Sequence, residues 1–244
     1  ANTAHGNVYG PVQNLASPIN IPNQSALDYY IGIATKIPIS DLPKVNGHRV
    51  ISHDLLSATS NTINGALNSE GVYYIDCGGQ EVRIEDSRLR CTLVLFNPKN
   101  TSRLQGNIHW EAHVTNYPIL LTDGEINIKT SRDPLEESEI SVNLNPVGTP
   151  YRGQTDSHIS TVYPSVLKGL IYASKRIDFW QGYADDDGDT FIQGLLISNG
   201  EIRAWGDCLI QYRDVYSNDP PPGFSTGSIG IRIIPGSVMS VQTP

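Results

Sequence analysis

The chain has 244 residues, with 17 Lys and Arg against 25 Asp and Glu, so its net charge is −8. That acidic balance argues against nucleic acid or anionic lipid as a main partner, because both favour a basic surface. Charged residues make up 17% and hydrophobic residues 39%, which excludes a coiled coil or a charge-rich disordered chain. The 22 Gly and 16 Pro favour many short strands joined by turns, and so an all-β fold.

No apolar run approaches the roughly 18 residues of a membrane-spanning helix, so we expect no membrane contact from this segment. Residues 1–10 lack the basic and apolar regions of a signal peptide. We therefore expect a mature form, a shortened form or a cytosolic protein.

Residues 1–45 differ from the rest of the chain. They have weak periodicity and contain five prolines: Pro11, Pro18, Pro22, Pro38 and Pro43. The pattern predicts an extended N-terminal arm or cap lying against the body. Immediately after it, apolar spacing near 3.6 predicts a short helix over 50–56.

From Gly71 onward, short apolar runs recur about every 10 residues, as in an all-β domain. Two of the later segments are alike: 167–177 aligns with 192–202 at an offset of 194 − 169 = 25 residues. A third copy, 120–126, matches 196–202 at an offset of 200 − 124 = 76, close to three times 25. Such internal similarity is typical of a repeat architecture.

A strand–turn–strand repeat of this length predicts a β-solenoid, in which stacked coils satisfy one another's open edges. We therefore predict a right-handed parallel β-helix over 46–224, with about six coils at about 25 residues each. Its inward side chains are expected to be Leu170, Tyr172, Leu195 and Ile197. The polar segment 132–164 is predicted to be an excursion between coils, and 225–244 a C-terminal strand and tail. The alternative is an antiparallel β-sandwich.

Spaced motifs along the chain resemble a family of uncharacterised bacterial surface proteins that is common in planctomycetes. The motifs lie at 68–79, 89–95, 116–120, 143–146, 163–164, 169–172 and 218–224. The resemblance implies a right-handed β-helix body, export to the cell surface and a structural role; it implies no catalytic residues. Members often begin with a pilin-like apolar helix, which this sequence lacks, and Cys91 stands where Gly is expected.

One candidate metal site lies in the segment His-Trp-Glu-Ala-His. Residues two apart on a strand share a face, so His109, Glu111 and His113 would project together. Two imidazoles and a carboxylate are plausible ligands for a divalent metal. The alternative is a polar outer face of a coil.

A second candidate is the acidic turn 185–190. Asp185, Asp187 and Asp189 alternate beside a glycine, as in calcium loops. The EF-hand spacing fails, because its sixth position is Thr190 and its twelfth is Leu196. We expect either a loose calcium site or a solvated acidic turn. No cofactor is required by the sequence, and Ca²⁺ is the one it suggests.

Catalytic patterns are weak. The chain lacks G-x-S-x-G, a P-loop and the signatures of polygalacturonases. A carbohydrate-active β-helix, either a hydrolase or a lyase with Arg176 or Arg203 beside a calcium turn, is the enzyme alternative. Cysteines 77, 91 and 208 form no CxxC pair. Two states of the cysteines stay open: one disulfide with one free thiol, or three buried thiols.

The three tryptophans, Trp110, Trp180 and Trp205, suggest a sugar-stacking platform or, more commonly, core fillers. Three prolines at 220–222 cannot continue a sheet, and the alternating segment that follows predicts a strand presenting Ile229, Ile231 and Ile233 for assembly. The sequence therefore predicts a non-catalytic extracellular structural protein that self-associates, with a filament or pilus-like assembly as the expected form. The alternatives are a carbohydrate-active enzyme and a glycan-binding module.

Overall fold

The computed structural model describes residues 24–180, 190–206, 208–213 and 215–224. The described chain is mostly β, and its strands pair mostly in parallel. The described helices are short: α1 (Gln24–Ile33), a 3-10 turn (Ile39–Asp41), α2 (Glu137–Ile140) and α3 (Val215–Asn218). None of them is long and apolar enough to span a membrane.

The strands before residue 125 are β1 (Thr35–Lys36), β2 (Lys44–Val45), β3 (His48–Ser52), β4 (Leu55–Ser57), β5 (Val72–Asp76), β6 (Val82–Arg90), β7 (Thr92–Phe96), β8 (Arg103–Glu111) and β9 (Pro118–Thr122). The later strands are β10 (Glu125–Thr130), β11 (Leu135–Glu136), β12 (Val162–Tyr163), β13 (Val166–Lys168), β14 (Leu170–Ala173), β15 (Arg176–Phe179), β16 (Thr190–Gln193), β17 (Leu195–Ser198), β18 (Glu201–Ala204) and β19 (Cys208–Gln211).

Two large sheets contain nearly all of these strands. Sheet A is 6-stranded, in the order β1-β5-β7-β9-β14-β17, and sheet B is 11-stranded. The long strands β6 and β8 divide sheet B into two branches. Branch 1 runs β3, β6, β8, β10, β15, β18, and branch 2 runs β4, β6, β8, β13, β16, β19.

Among the described strands, the antiparallel pairs are β2 with β3 and β11 with β12. An antiparallel β-sandwich is therefore the wrong alternative, because its sheets would be built from hairpins. The chain instead passes through sheet A, branch 1 and branch 2 in turn, and then returns to the next position in sheet A.

The register confirms the alignment of the two similar segments. Leu167 pairs with Ile192, Leu170 with Leu195 and Arg176 with Glu201, each at an offset of 25. The third copy is also in register, since Leu120 pairs with Ile171, which pairs with Leu196. Its offset of 76 spans two successive strand pairings in sheet A rather than three repeats of 25. The excursion lengthens the first of these, from Leu120 to Ile171, to 171 − 120 = 51 residues.

The main core lies between sheet A and the two branches and is built from columns of paired apolar side chains. The three columns are Tyr73–Leu93–Leu120–Ile171 in sheet A, Ile51–Ile84–Leu104–Ile128–Phe179 in branch 1 and Leu56–Leu89–Trp110–Leu167–Ile192 in branch 2. All of these residues are buried in one cluster.

Sheet A is also covered on its other face. Helix α1 places Ala26, Leu27 and Tyr30 against it, and Tyr216 and Phe224 complete this second cluster. Strands buried on both faces read as continuous apolar runs without alternation. That explains why the sequence run at 91–96 gives no sign of which residues face the main core.

The predicted inward set was wrong for this reason. Leu170 and Tyr172 belong to the second cluster, beneath α1, and Leu195 and Ile197 pack against that cluster as well. The inward residues of β14 are Ile171 and Ala173. Successive side chains of a strand point to opposite faces, so a one-residue error in phase inverts the whole assignment.

In the described part of the arm or cap expected over 1–45, helix α1 lies against the body, because Ala26, Leu27 and Tyr30 form one apolar helical face that sheet A buries. A second local prediction near the N-terminus was wrong. The helix expected over 50–56 is instead β3 and β4, separated by His53 in a left-handed conformation (φ 58°). Here pairing with β6 overrides local periodicity.

The polar segment 132–164 contributes no strand to sheet A or sheet B in the described chain. It leaves after β10 and returns at β13, and it contains α2 and the small β11–β12 pair. Leu135, Leu144 and Tyr163 pack with Leu55 in a separate apolar cluster. We call this segment the excursion; it lies over the outer face of branch 2.

Close stacking at one corner requires glycine. A Cβ on Gly194 would lie 1.8 Å from the carbonyl oxygen of Gly169 in the neighbouring pass of the chain. We expect Gly194→Ala to lower the free energy of unfolding by about 1–3 kcal/mol, because backbone must move to relieve the overlap. Gly32→Ala is the matched control: Gly32 lies in α1 with nothing within 4 Å, and Ala should stabilise by about 0.5–1 kcal/mol. Urea denaturation of both variants measures the difference, and equal effects would contradict the stacking.

Candidate functional site

His109 lies on the outer side of branch 2, in β8. Its column neighbours are Arg88 in β6 and Val166 in β13. The excursion covers this position, so His109 is fully buried. Its Nδ1 lies 2.8 Å from the carbonyl oxygen of Pro164, and its Nε2 has no hydrogen-bond partner. Because a carbonyl can only accept, Nδ1 holds the proton and the neutral ring leaves Nε2 as an unused acceptor.

The three residues of the predicted metal site do not come together. Glu111 is half-buried, with an Oε1 that lies 3.8 Å from Nε of Arg90. His113 follows the end of β8 and packs beside Gly71. Among residues 24–180 and the later described stretches, no group of three or more His, Cys, Asp or Glu residues could hold a metal ion. The prediction failed because the strand ends at Glu111, which removes His113 from the alternating face, and because the excursion buries His109.

Two other predicted sites lie outside the described residues. These are the candidate calcium ligands Asp185, Asp187 and Asp189, and the candidate assembly residues Ile229, Ile231 and Ile233. The arginines proposed for lyase chemistry are already paired: Arg176 contacts Glu125 at 2.6 Å and Asp178 at 2.7 Å, and Arg203 contacts Glu201.

Arg88 holds the excursion onto branch 2. Its guanidinium donates to the carbonyl oxygens of Leu144 at 2.5 Å, Thr149 at 2.9 Å and Pro150 at 3.0 Å. The rings of Tyr151 and Tyr163 lie 5.4 and 5.3 Å from the guanidinium carbon. Arg88 is 1% exposed, so this buried cation is stabilised by carbonyl dipoles and aromatic faces. Burial lowers its pKa.

Glu137, at the start of α2, organises the excursion from within. Although fully buried, its carboxylate accepts hydrogen bonds from the backbone N–H of Leu144 (2.7 Å), the N–H of Thr161 (2.9 Å) and the hydroxyl of Tyr163 (2.7 Å). A buried carboxylate with three donors is well satisfied. Tyr163 therefore joins Glu137 to Arg88, and sequence reasoning missed both charged residues because their partners are mostly backbone atoms.

The environment of His109 is typical of a structural histidine. Burial lowers the pKa of His109 from 6.5 to about 4, and the nearby Lys168 and Arg88 charges add to this effect, while the Pro164 carbonyl opposes it. The ring is neutral at pH 7, and its contacts with Tyr151 (5.4 Å) and Tyr163 (5.7 Å) place it in the same aromatic group as Arg88. Arg88, Glu137, His109 and the two tyrosines form what we call the excursion clamp.

The clamp predicts a pH dependence of stability. Between pH 6.5 and about 4 the unfolded chain binds a proton at His109 and the folded chain does not. The free energy of unfolding should therefore fall as pH falls through this window, with a slope of up to about 1.4 kcal/mol per pH unit from this group. His109→Gln should reduce the slope of the unfolding free energy against pH, measured by urea denaturation, by the equivalent of about one proton. His158→Gln, at an exposed position, should leave that slope unchanged. Identical slopes for the wild type and His109→Gln would contradict the assignment.

Two of the cysteines are buried packing residues rather than reactive thiols. Cys77 and Cys91 are fully buried and form no disulfide in the described chain. Burial raises the pKa of Cys77 to about 12, and it also raises that of Cys91. Both thiols stay protonated near neutral pH, so neither is an activated nucleophile.

The three tryptophans divide into two classes. Trp110 is fully buried in the main core, and its Nε1 donates to the carbonyl oxygen of Cys91 at 3.0 Å. Trp180 and Trp205 are 56% and 66% exposed. They follow the paired strands β15 and β18, and the N–H of Trp205 donates to the carbonyl of Phe179 at 2.9 Å.

The C-terminal end of the stacked strands is open in the described chain. Strands β17, β18 and β19 each have one strand partner. This open end exposes an apolar side chain of the column Ile126–Ile177–Ile202. Ile126 and Ile177 are buried, whereas Ile202 is 48% exposed. At the opposite end the antiparallel hairpin of β2 and β3 closes branch 1. An exposed apolar edge of parallel strands is a surface on which another chain can pair.

No family model, curated protein or solved structure matches this chain.

Proposed function

We propose that this chain is a non-catalytic structural protein of the cell surface, built as a right-handed parallel β-helix of six coils that self-associates. The order of sheet A, branch 1 and branch 2, repeated for 6 strands of sheet A, supports six coils. Parallel connections of this kind are almost always right-handed. The resemblance of the spaced motifs to bacterial surface proteins supports export.

The exposed end of the isoleucine column is the observation that supports self-association. Ile202 belongs to an inward column and yet is 48% exposed, and on that side β18 pairs with no other described strand. The two ends of the described coils differ, since the first carries the β2–β3 hairpin. Association therefore begins with two chains meeting through their last coils. The segment with Ile229, Ile231 and Ile233, which lies outside the described residues, and the N-terminal arm then extend the assembly into a filament.

The clamp supports a structural role over an enzymatic one. Its His, Glu, Arg and Tyr side chains are all directed into contacts that hold the excursion, and most are buried. Calcium at Asp185, Asp187 and Asp189 enters the proposal as a stabiliser of the assembly rather than as a catalytic ion. We expect a panel of polysaccharides to yield neither reducing sugar nor unsaturated uronate with this protein.

Sedimentation velocity tests the proposed interface. We expect the sedimentation coefficient of the wild type to rise with concentration, and Ile202→Lys to abolish the rise, because a charge at the open edge opposes pairing. Val147→Lys is the matched control, since Val147 is 90% exposed on the excursion, and it should associate as the wild type does. A wild type that stays monomeric at every concentration, with or without calcium, would overturn the proposal.

A further inference from the structure

We propose that the outer face of branch 1 at Trp180 and Trp205 binds an uncharged polysaccharide. The two indoles occupy adjacent strands, because each follows β15 or β18 directly and these strands pair from Arg176–Glu201 to Phe179–Ala204. Phe179 points into the main core, so the next residue, Trp180, points outward. Neighbouring strands lie about 4.8 Å apart, so the backbones of Trp180 and Trp205 lie next to each other at the ends of paired strands, and both indoles are exposed.

The indole of Trp180 is held in place. Nε1 of Trp180 donates to Oδ1 of Asn127 at 2.8 Å, and the amide of Asn127 in turn donates to the carbonyls of Asn100 and Ser102 at 2.9 and 3.0 Å. The backbone N–H of Trp180 donates to Ile128 at 3.0 Å. An exposed indole with its polar atom already satisfied presents an apolar face to solvent at little further entropic cost on binding.

Beside the indoles runs a column of side chains that form planar hydrogen-bonding groups. The column is Arg103–Asn127–Asp178–Arg203. Asp178 is only 4% exposed, and its Oδ1 has no partner among the described residues. A buried carboxylate oxygen without a donor is costly, and a ligand hydroxyl group would supply the missing donor.

Charge pairing on this face favours an uncharged ligand. Arg176 pairs with Glu125 and Asp178, and Arg203 pairs with Glu201. The guanidinium of Arg103 lies 4.0 Å from Glu81. An anionic polysaccharide would need unpaired cations, whereas Arg176 and Arg203 already have close carboxylate partners. A hydroxyl-rich neutral chain fits both parts of the surface, because its C–H faces stack on indole and its hydroxyl groups bond to Asp178 and Asn127.

The site differs from the surface proposed for self-association. Ile202 faces inward from the end of the last coil, whereas the indoles face outward from branch 1. Either proposal can therefore fail without the other.

Affinity gel electrophoresis tests the site with four neutral polysaccharides (a mixed-linkage β-glucan, xylan, a mannan and soluble starch) and one anionic polysaccharide, polygalacturonate. We expect the wild type to be retarded by at least one neutral polymer. Trp180→Ala and Trp205→Ala should each weaken binding by about 10-fold or more, the usual effect of removing a dominant tryptophan contact. Val147→Ala removes an exposed apolar side chain elsewhere and should bind as the wild type does.

Asp178→Asn supplies a second variant that leaves both indoles in place. It should also weaken binding, because the unpartnered oxygen is then replaced or reoriented. Sedimentation of both tryptophan variants should equal that of the wild type. Retardation by polygalacturonate alone, no retardation by any neutral polymer, or equal binding by wild type and tryptophan variants would each overturn the proposal. So would a loss of self-association in the tryptophan variants without any glycan binding.

Discussion

Trp110→Ala is expected to lower the free energy of unfolding by about 3–5 kcal/mol, the usual cost of truncating a fully buried tryptophan. Trp110 lies between Leu89 and Leu167 in the branch 2 column. The truncation leaves a cavity in the middle of the stacked core and removes the donor to the Cys91 carbonyl. Urea denaturation followed by far-UV circular dichroism measures the loss.

Trp205→Ala is the matched control, because the same truncation at a side chain that is 66% exposed should change stability by no more than about 0.5 kcal/mol. A loss below about 1 kcal/mol for Trp110→Ala would contradict the position of Trp110 in the core.

Arg88→Met should cost about 3–5 kcal/mol, as expected when one partner of a buried charged network is removed. Methionine keeps much of the side-chain volume but leaves the carbonyls of Leu144, Thr149 and Pro150 without their donor. Because these carbonyls belong to the excursion, we expect proteolytic cleavage within 132–164 to accelerate before the stacked strands are cut. Urea denaturation and limited proteolysis measure the two effects.

Arg90→Met is the matched control, which distinguishes the loss of the Arg88 contacts from the loss of a positive charge on β6. Arg90 lies two residues further along β6, is about one-third exposed and contacts Glu111 at 3.8 Å. Surface pairs of this kind contribute about 0–1 kcal/mol, so this variant should unfold and resist protease almost as the wild type does. An excursion that is cleaved equally fast in both variants would show that Arg88 does not hold it.

The repeat was visible in the sequence only where the spacing between paired strands is regular. The sheet A column Tyr73, Leu93, Leu120, Ile171 and Leu196 has steps of 93 − 73 = 20, 120 − 93 = 27, 171 − 120 = 51 and 196 − 171 = 25 residues. Turns of different length between the strands produce this variation. The last step alone preserves both the spacing and the strand–turn–strand pattern, and it was sufficient to predict the pairing of Leu170 with Leu195.

Side-chain direction could not be predicted for the sheet that is covered twice. Helix α1 and the C-terminal residues Tyr216 and Phe224 bury the outer face of sheet A, so both faces select apolar residues and the alternation disappears. In branch 1, where one face meets solvent, β10 does alternate between buried and half-buried residues. The exposed outer faces are therefore where sequence reasoning about direction works.

The candidate sites depend on contacts that have no local sequence signal. His109 and Glu111 do lie on one face of β8, but the excursion, which begins about twenty residues later, determines that His109 is buried. The partners of Arg88 are 56–62 residues away in sequence. Likewise, nothing in the sequence distinguishes buried Trp110 from exposed Trp180 before the strands that flank them are paired.

Negative-stain electron microscopy of the isolated protein tests the proposed function most directly. We predict elongated particles formed by chains joined through their last coils, which separate into single chains in Ile202→Lys and lose order after chelation with EDTA. Discrete single particles of the wild type under every condition would contradict self-association and with it the proposed structural role.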